Sequence, residues 1–214
     1  MDAPLRNRLN SVARDNNATL FMVVHSALAA LLSRLSGLRD IAIGSPVAGR
    51  GDVALDDLIG MFVNPLVLRS TVDPADRFTD LLARVRAADL RAFANAEVPF
   101  ERLVEVLNPV RSQSRHPLFQ VALAFQNMDN ARLELPGLTV SGVEFDYDLA
   151  KFDLQVTVAD HPDGGAEHGL LVEMSYATDL FDTSTVESIA ARFVRVLEAV
   201  AADPAAVVAT SNCS

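Results

Sequence analysis

The segment Ile59-Gly-Met-Phe-Val-Asn-Pro-Leu-Val-Leu-Arg69 gives the strongest indication of this chain's architecture. Its apolar residues from Met61 to Leu68 predict a β-strand, because β-branched and aromatic side chains fit a half-buried pleated surface. Pro65 denies that strand one hydrogen bond to a neighbour. An earlier apolar run, Ile41 to Ile43, leads into the turn-rich residues Gly44 to Asp52, which predicts a strand followed by a loop.

Helical periodicity flanks these strands. Apolar residues recur three or four positions apart from Ala18 to Ser36, and Gly37 is suited to end that helix. The same spacing predicts a helix from Asp76 to Phe93. A short helix from Pro99 to Leu107 is expected, because proline's missing N–H has no partner in a first turn anyway. A last helix opens with a capping box, Ser184-x-x-Glu187.

Four further segments have the composition of strands: Leu118 to Phe125, Val140 to Phe145, Phe152 to Val158, and Gly169 to Tyr176. Strands mixed with helices in this way predict the α/β class, with a mixed β-sheet flanked by helices. No linker-like stretch divides the chain. Residues 1–214 are therefore expected to form a single compact unit.

Composition and charge exclude several classes of protein. The net charge of −10 argues against a nucleic-acid-binding protein, whose surface would carry a basic stripe. The longest apolar stretch, Leu20 to Leu32, is interrupted by His25 and Ser26 and is too short to span a membrane. Residues Met1 to Asn17 lack the apolar run of a signal peptide. The single cysteine, Cys213, excludes an intrachain disulfide and fits a reducing compartment, so a cytoplasmic protein is expected.

The four histidines do not form a recognisable site. His25 lies within the first predicted helix, where a surface or partly buried position is expected, and His116 precedes Pro117 in a loop. His161 and His168 flank a polar turn, and their spacing does not suit a metal ion. The residues alone therefore predict an α/β domain with no catalytic residue, no bound cofactor and no metal site.

Three blocks of sequence resemble the condensation domains of nonribosomal peptide synthetases. Ile59 to Arg69 is similar to the family motif I-G-x-F-V-N-x-L-x-x-R, and Asn108 to Val121 resembles a block that ends in P-L-F-Q-V. A third block resembles the family's P-F-E-x-L-V motif, with Ala96 and Glu97 where the family usually has His and Gln. Weaker similarities follow in the expected order over residues 5–205: Thr19 to Val23, Ile43 to Arg50, Lys151 to Leu154, and Tyr176 with Leu180 to Asp182.

The resemblance implies both a fold and an incomplete activity. Condensation domains consist of two lobes that resemble chloramphenicol acetyltransferase, and the N-terminal lobe carries the catalytic motif H-H-x-x-x-D-G. This sequence contains no adjacent pair of histidines. The chain therefore resembles the C-terminal lobe alone of a domain that joins a carrier-bound donor thioester to an acceptor amine. By itself it is expected to be inactive.

The resemblance also implies partners. The N-terminal lobe, the donor and acceptor peptidyl carrier proteins and the neighbouring adenylation domain would contact this lobe. Phosphopantetheine would arrive on the carrier proteins and would not be a cofactor of this chain. A latch-like crossover segment within about Val110 to Asp148 would pair with the other lobe. An isolated lobe would expose this junction, which favours self-association.

Four residues are candidates for the wall of the substrate tunnel: Asn64, Arg69, Gln126 and Asn127. Asn64 has two interpretations: it orders the wall or a bound phosphopantetheine arm, or it caps a backbone turn before Pro65. Arg69 is either a structural ion-pair partner or a substrate contact. Gln126 and Asn127 follow an apolar strand.

Two other kinds of condensation-like domain fit the same motifs. One has lost catalysis and recruits a haem monooxygenase to the carrier-bound peptide, and its C-terminal lobe would have a similar sequence. The other is an epimerisation domain, with which Phe62-Val63-Asn64 agrees less well. The state of the H-H-x-x-x-D-G motif in the N-terminal lobe would distinguish the condensing enzyme from the recruiting platform.

Overall fold

A computed structural model describes residues 1–48, 58–110, 112, 115–126, 150–160 and 169–208. These residues form five helices and five strands. The helices are α1 (Ala3–Asp15), α2 (Leu20–Ser36), α3 (Phe78–Phe93), α4 (Phe100–Leu107) and α5 (Thr183–Ala202). The strands are β1 (Asp40–Ala48), β2 (Val63–Thr71), β3 (Val121–Gln126), β4 (Leu154–Asp160) and β5 (Leu170–Tyr176).

The five strands form one mixed sheet in the order β2-β1-β3-β4-β5. Strands β1, β3 and β4 are parallel, whereas β2 and β5 run antiparallel to their neighbours at the two edges. The β1–β2 ladder extends over the full length of both strands. Strands β1 and β3 pair only where Ile43 and Gly44 face Val121 and Ala122. The predicted α/β class and mixed sheet are confirmed.

The two faces of the sheet carry different helices. Helices α1, α2, α3 and α5 pack on one face and form the main core with inward-pointing strand residues such as Ile43 and Leu123. Residues at alternate positions point to the opposite face. There Ala42 and Ala122 belong to a smaller cluster under α4.

Helix α2 occupies the centre of the main core. Thr19 Oγ1 accepts a hydrogen bond from the N–H of Met22 at 3.3 Å, and Gly37 ends the helix in a left-handed conformation with φ of 71°. The end agrees with the sequence prediction, and the helix starts two residues after the predicted Ala18. Within the described ranges no single helix is long and apolar enough to cross a membrane, and α1 with α2 would qualify only as a pair bent by 99°.

Helix α1 was missed because residues 1–17 are mostly polar. Its signals are local. Asp2 accepts a hydrogen bond from the N–H of Leu5 at 2.9 Å, and a proline lies in the first turn. Leu5, Leu9 and Val12 are buried and recur at helical spacing.

The predicted loop from Gly44 to Asp52 is wrong in its first part, since β1 continues to Ala48, and residues 49–52 lie outside the described residues. Within this extension Pro46 faces Pro65 of β2. Two prolines can oppose each other only at a position where neither backbone nitrogen is required to donate across the pair. Pairing with β2, which composition does not reveal, therefore extends the strand.

The predicted capping box at the last helix is also wrong. Helix α5 begins at Thr183, with Asp182 in place of Ser184 as the residue that precedes its first turn, and no side-chain hydrogen bond caps it among the described residues. The predicted strand Val140 to Phe145 lies outside the residues that the structure describes.

Candidate functional site

Asn64 joins the start of β2 to the turn that precedes α4. Its side-chain amide donates to the carbonyl oxygens of Ala96 and Val98, each at 2.8 Å. Its carbonyl oxygen accepts a hydrogen bond from the N–H of Phe100 at 3.1 Å. Both donors and the acceptor oxygen are engaged with backbone atoms. Asn64 therefore holds residues 96–100, and not the turn before Pro65 that the sequence suggested.

An aromatic cluster lies beneath this turn and consists of Phe100, His116, Phe119 and Phe152. Ring centroids in contact are 4.3–5.9 Å apart, and the His116 ring stacks on Phe100 with an interplanar angle of 27°. The Phe119 ring covers Gly44 of β1 so closely that a Cβ atom at position 44 would overlap it. The cluster thus fastens α4 and the loop before β3 to the sheet.

The loop before β3 contains a strained residue. Leu118 has a φ of 72°, a left-handed conformation that costs a residue other than glycine roughly 1–2 kcal/mol. Leu118 packs against the aromatic cluster, and the next residue, Phe119, is almost fully buried. Burial of the Phe119 ring offsets the strain of the backbone beside it.

The segment that enters β2 is apolar and exposed. Leu58, Ile59, Met61 and Val63 are each more than half exposed, and we refer to residues 58–63 as the entry segment. β2 is an edge strand, to which another chain can add. Exposed apolar residues grouped beside a sheet edge are typical of an interaction surface.

The predicted site residues separate to opposite ends of the sheet. Asn64 lies at the start of β2. Because β2 runs antiparallel to β1, this position faces Val47 near the carboxyl end of β1. Gln126 is the last residue of β3. Both therefore lie at the carboxyl end of the parallel strands, where open α/β sheets usually bind ligands. Arg69 lies near the other end of β2. Asn127 is outside the described residues, as is most of the predicted latch segment, Val110 to Asp148.

Arg69 forms an exposed ion pair with Asp40 of β1. Its Nε donates to Oδ1 of Asp40 at 2.8 Å, and a second nitrogen contacts the other carboxylate oxygen. The hydrogen bond from Arg69 lowers the pKa of Asp40, and Asp40 in turn raises the pKa of Arg69. This geometry favours the structural interpretation of Arg69.

The expected surface or partly buried position of His25 is wrong. His25 and Asp89 are both fully buried, and His25 Nδ1 lies 3.0 Å from Asp89 Oδ2 across α2 and α3. The apolar character of α2 on all sides was a signal of this burial. The partner acid, 64 positions away, has no sequence signal. His161 and His168 lie outside the described residues.

Comparison with curated proteins identifies close relatives. The profile of the condensation domain family matches residues 1–213. The dimodular nonribosomal peptide synthase of Bacillus subtilis is 47% identical over 205 residues, which are 95% of this chain and 9% of that protein. The isonitrile lipopeptide synthase of Mycobacterium tuberculosis is 43% identical over 203 residues, 94% of this chain and 8% of that protein. The chain thus spans less than a tenth of the length of either relative.

Solved structures give the same family. The X-domain in its complex with OxyB from teicoplanin biosynthesis is 32% identical, with a TM-score of 0.90, and the match covers 100% of this chain and 47% of that one. The first condensation domain of the calcium-dependent antibiotic synthetase, in complex with a substrate analogue, is 25% identical with a TM-score of 0.74, covering 98% and 44%. A match to slightly less than half of each solved chain fits one lobe of two. This chain belongs to the condensation domain family of nonribosomal peptide synthetases, as its three motif blocks predict.

Proposed function

We propose that this chain is the C-terminal lobe of a condensation domain that forms peptide bonds in a nonribosomal peptide synthetase. The observation that carries the proposal is the close similarity to the dimodular synthase over 95% of the chain. The substrates are a donor acyl group and an acceptor amine, each held as a thioester on the phosphopantetheine arm of a carrier protein. The parent synthetase acts in the cytoplasm.

The reaction requires orientation and removal of one proton. The acceptor nitrogen attacks the thioester carbonyl carbon, a C–N bond forms, the C–S bond breaks, and the amine proton passes to a base while the donor arm leaves as a thiol. His25 is fully buried against Asp89, and His116 is packed in the aromatic cluster. Neither histidine is placed to serve as that base. The base is the histidine of H-H-x-x-x-D-G in the N-terminal lobe.

In this proposal the lobe contributes one wall of the tunnel at the carboxyl end of the parallel strands. Asn64 shapes the wall by holding the turn before α4, because its amide is fully engaged with backbone atoms. Gln126 and the adjacent Asn127 offer amide groups that match the amides of a phosphopantetheine arm. Arg69 keeps a structural role with Asp40.

The entry segment supplies the contact with the other lobe. Its exposed apolar residues and the edge of β2 would be covered when the N-terminal lobe packs against them. The carrier proteins and the adenylation domain contact other parts of the assembled domain. Without the N-terminal lobe, the same surface is available for self-association.

The test compares this chain with a fusion that carries an N-terminal condensation lobe. Loaded donor and acceptor carrier proteins are mixed with each protein, and the transferred product is followed by mass spectrometry. We expect product from the fusion and none above the uncatalysed background from the 214-residue chain. A fusion with both histidines of H-H-x-x-x-D-G replaced by alanine is the matched control. Turnover by the chain alone would contradict the assignment of the base to the other lobe.

A second function is supported by the structural likeness to the X-domain that was solved with OxyB. In that case the parent domain recruits a haem monooxygenase and forms no peptide bond. Titration with OxyB of a second fusion, which carries the N-terminal lobe of the parent synthetase itself, followed by size-exclusion chromatography and the same product assay, separates the two. Complex formation without amide product supports the recruiting platform, whereas amide product without a complex supports the condensing enzyme.

A further inference from the structure

A groove lies between α2 and α5, at the end of the sheet opposite the entry segment. Its volume is about 770 Å³, within the range of small-molecule sites. Its floor is formed by Ile41, Val121 and Leu154, at the amino ends of β1, β3 and β4, and Leu32 and Ile189 form its sides. The groove is therefore apolar at its base, and its volume is sufficient for an aliphatic chain.

One wall of the groove presents hydrogen-bond donors. Ser184, Ser188 and Arg192 line it and lie about one turn apart on the same face of α5. Arg192 is half-buried, and it makes no hydrogen bond or ion pair with the described residues. A guanidinium group has five N–H donors and no acceptor, so its natural complement is a carboxylate.

Two acids also line the groove, and they differ in their partners. Asp40 is paired with Arg69, which balances its charge. Asp153 immediately precedes β4 and makes no side-chain hydrogen bond with the described residues. A ligand anion would therefore bind at the Arg192 wall, and Asp153 would weaken its binding through like charge.

We propose that this groove binds an amphipathic carboxylate: an aliphatic chain of about ten carbon atoms with one terminal carboxylate. The chain lies on Ile41, Val121 and Leu154, and the carboxylate accepts hydrogen bonds from Arg192 and Ser188. The site is separate from the tunnel wall and does not depend on peptide bond formation.

Calorimetric titration of the 214-residue chain with decanoate and with decylammonium tests the sign of the charge, both kept below their micelle concentrations. We expect decanoate to bind and decylammonium to bind at least about tenfold more weakly, because only the anion gains charge-assisted hydrogen bonds. Shortening the acid to octanoate weakens binding by roughly fourfold for each CH₂ group removed. Equal binding of the two decyl compounds, or no binding of decanoate, overturns the proposal.

Variants locate the site. Arg192→Gln is expected to weaken decanoate binding at least about tenfold, and Asp153→Asn to strengthen it. Arg195→Gln is the matched control, since Arg195 is exposed on the same helix and does not line the groove. Met61→Ser removes an apolar side chain from the entry segment and should leave binding unchanged. Loss of binding in Met61→Ser but not in Arg192→Gln would move the site to the entry segment and refute the groove.

Two controls keep these outcomes interpretable. Urea unfolding midpoints confirm that each variant is folded, as expected for substitutions of residues that are at least partly exposed. Methyl NMR signals of Leu32 and Ile189 should shift on addition of decanoate to the unmodified chain, whereas those of Leu107 on α4 should not. No carrier protein enters these measurements, so their failure leaves the proposed condensation function untouched.

Discussion

The main core and the aromatic cluster pack against opposite faces of the same five strands, but on different scales. The main core joins four helices to the sheet and buries most of the large apolar side chains of the described residues. The aromatic cluster joins one eight-residue helix and one loop to the other face, and Phe100 is the only buried residue of that helix. The main core is stabilised mainly by the burial of apolar surface. The aromatic cluster depends on how closely a few rings and backbone groups fit together.

This difference relates stability to function. The exposed apolar residues of the entry segment and the predicted residues Asn64 and Gln126 are all on or beside the sheet end that α4 helps to cover. A surface that must accept a partner cannot already be filled by its own helices. We therefore expect substitutions in the main core to change global stability, and substitutions at the aromatic cluster to act more locally.

The largest effect is expected in the main core. Phe193 lies on α5 and is fully buried. Phe193→Ala should lower the free energy of unfolding by roughly 3–5 kcal/mol, through lost burial and the cavity that remains. The midpoint of urea unfolding measures it. Leu180→Ala, at an exposed position, is the control and should change little. A loss below about 1 kcal/mol in Phe193→Ala would show that α5 does not pack on the sheet as described.

The buried pair of His25 and Asp89 gives an effect of similar size by a different route. His25→Leu removes the only hydrogen-bond partner that the described residues provide to the Asp89 carboxylate. An unpartnered buried charge should cost roughly 3–5 kcal/mol at neutral pH. The double variant His25→Leu with Asp89→Leu removes the charge as well and should be clearly more stable than the single variant in urea. If the double variant is the less stable one, the penalty comes from packing and not from the charge.

At the aromatic cluster, Gly44→Ala tests the fit of the Phe119 ring. The added methyl group overlaps that ring, so the ring must move and the strain at Leu118 loses its compensation. We expect a loss of roughly 1–3 kcal/mol, as for other overpacked sites. Far-UV circular dichroism during thermal unfolding measures it.

The matched control for this overlap is Phe119→Leu, alone and combined with Gly44→Ala. A smaller side chain at position 119 leaves room for the methyl group, so Gly44→Ala should cost less in that background. Equal costs in the two backgrounds would show that the ring of Phe119 does not limit position 44.

The sequence predicted the elements with strong periodicity and missed those set by distant contacts. Helix α2 is predicted to within two residues at its start and at the correct residue at its end, because its apolar run and Gly37 are local signals. The extension of β1 through Pro46 was missed because it depends on pairing with β2. For the site, Asn64 was singled out by the motif. Its partners are backbone atoms of residues 96–100. Because almost every residue has the same backbone groups, the sequence could not identify them.

A smaller effect is expected at Asn64 itself. Asn64→Ala leaves two carbonyl groups and the N–H of Phe100 without their partner, but this region is partly exposed and water can replace some of the bonds. We expect a loss of roughly 1 kcal/mol in global stability. Hydrogen exchange at the Phe100 amide should increase more than exchange in α2. Asn64→Asp keeps the acceptor for Phe100 but loses both donors, so it should protect that amide better than Asn64→Ala. Unchanged exchange at Phe100 in Asn64→Ala would contradict the clamp.

The smallest effect belongs to the exposed pair of Arg69 and Asp40, on the end of β2 away from Asn64. Because the hydrogen bond from Arg69 lowers the pKa of Asp40 in the folded chain, the pair stabilises the protein above the ordinary aspartate pKa of about 3.9. That contribution is lost as the pH falls through the lowered pKa and Asp40 becomes protonated. The urea midpoint of Asp40→Asn should therefore lie slightly below that of the unmodified chain at pH 7, and the two midpoints should converge in acid.

Added salt at pH 7 should also reduce the difference between the two midpoints, since both side chains of the pair are exposed. Asp73→Asn, which removes a looser pair with Arg39 at 3.8 Å, is the control and should lower the urea midpoint at pH 7 by less than Asp40→Asn does. A difference for Asp40→Asn that grows in acid would have the opposite sign and would mean that Arg69 does not hold Asp40 in its charged form.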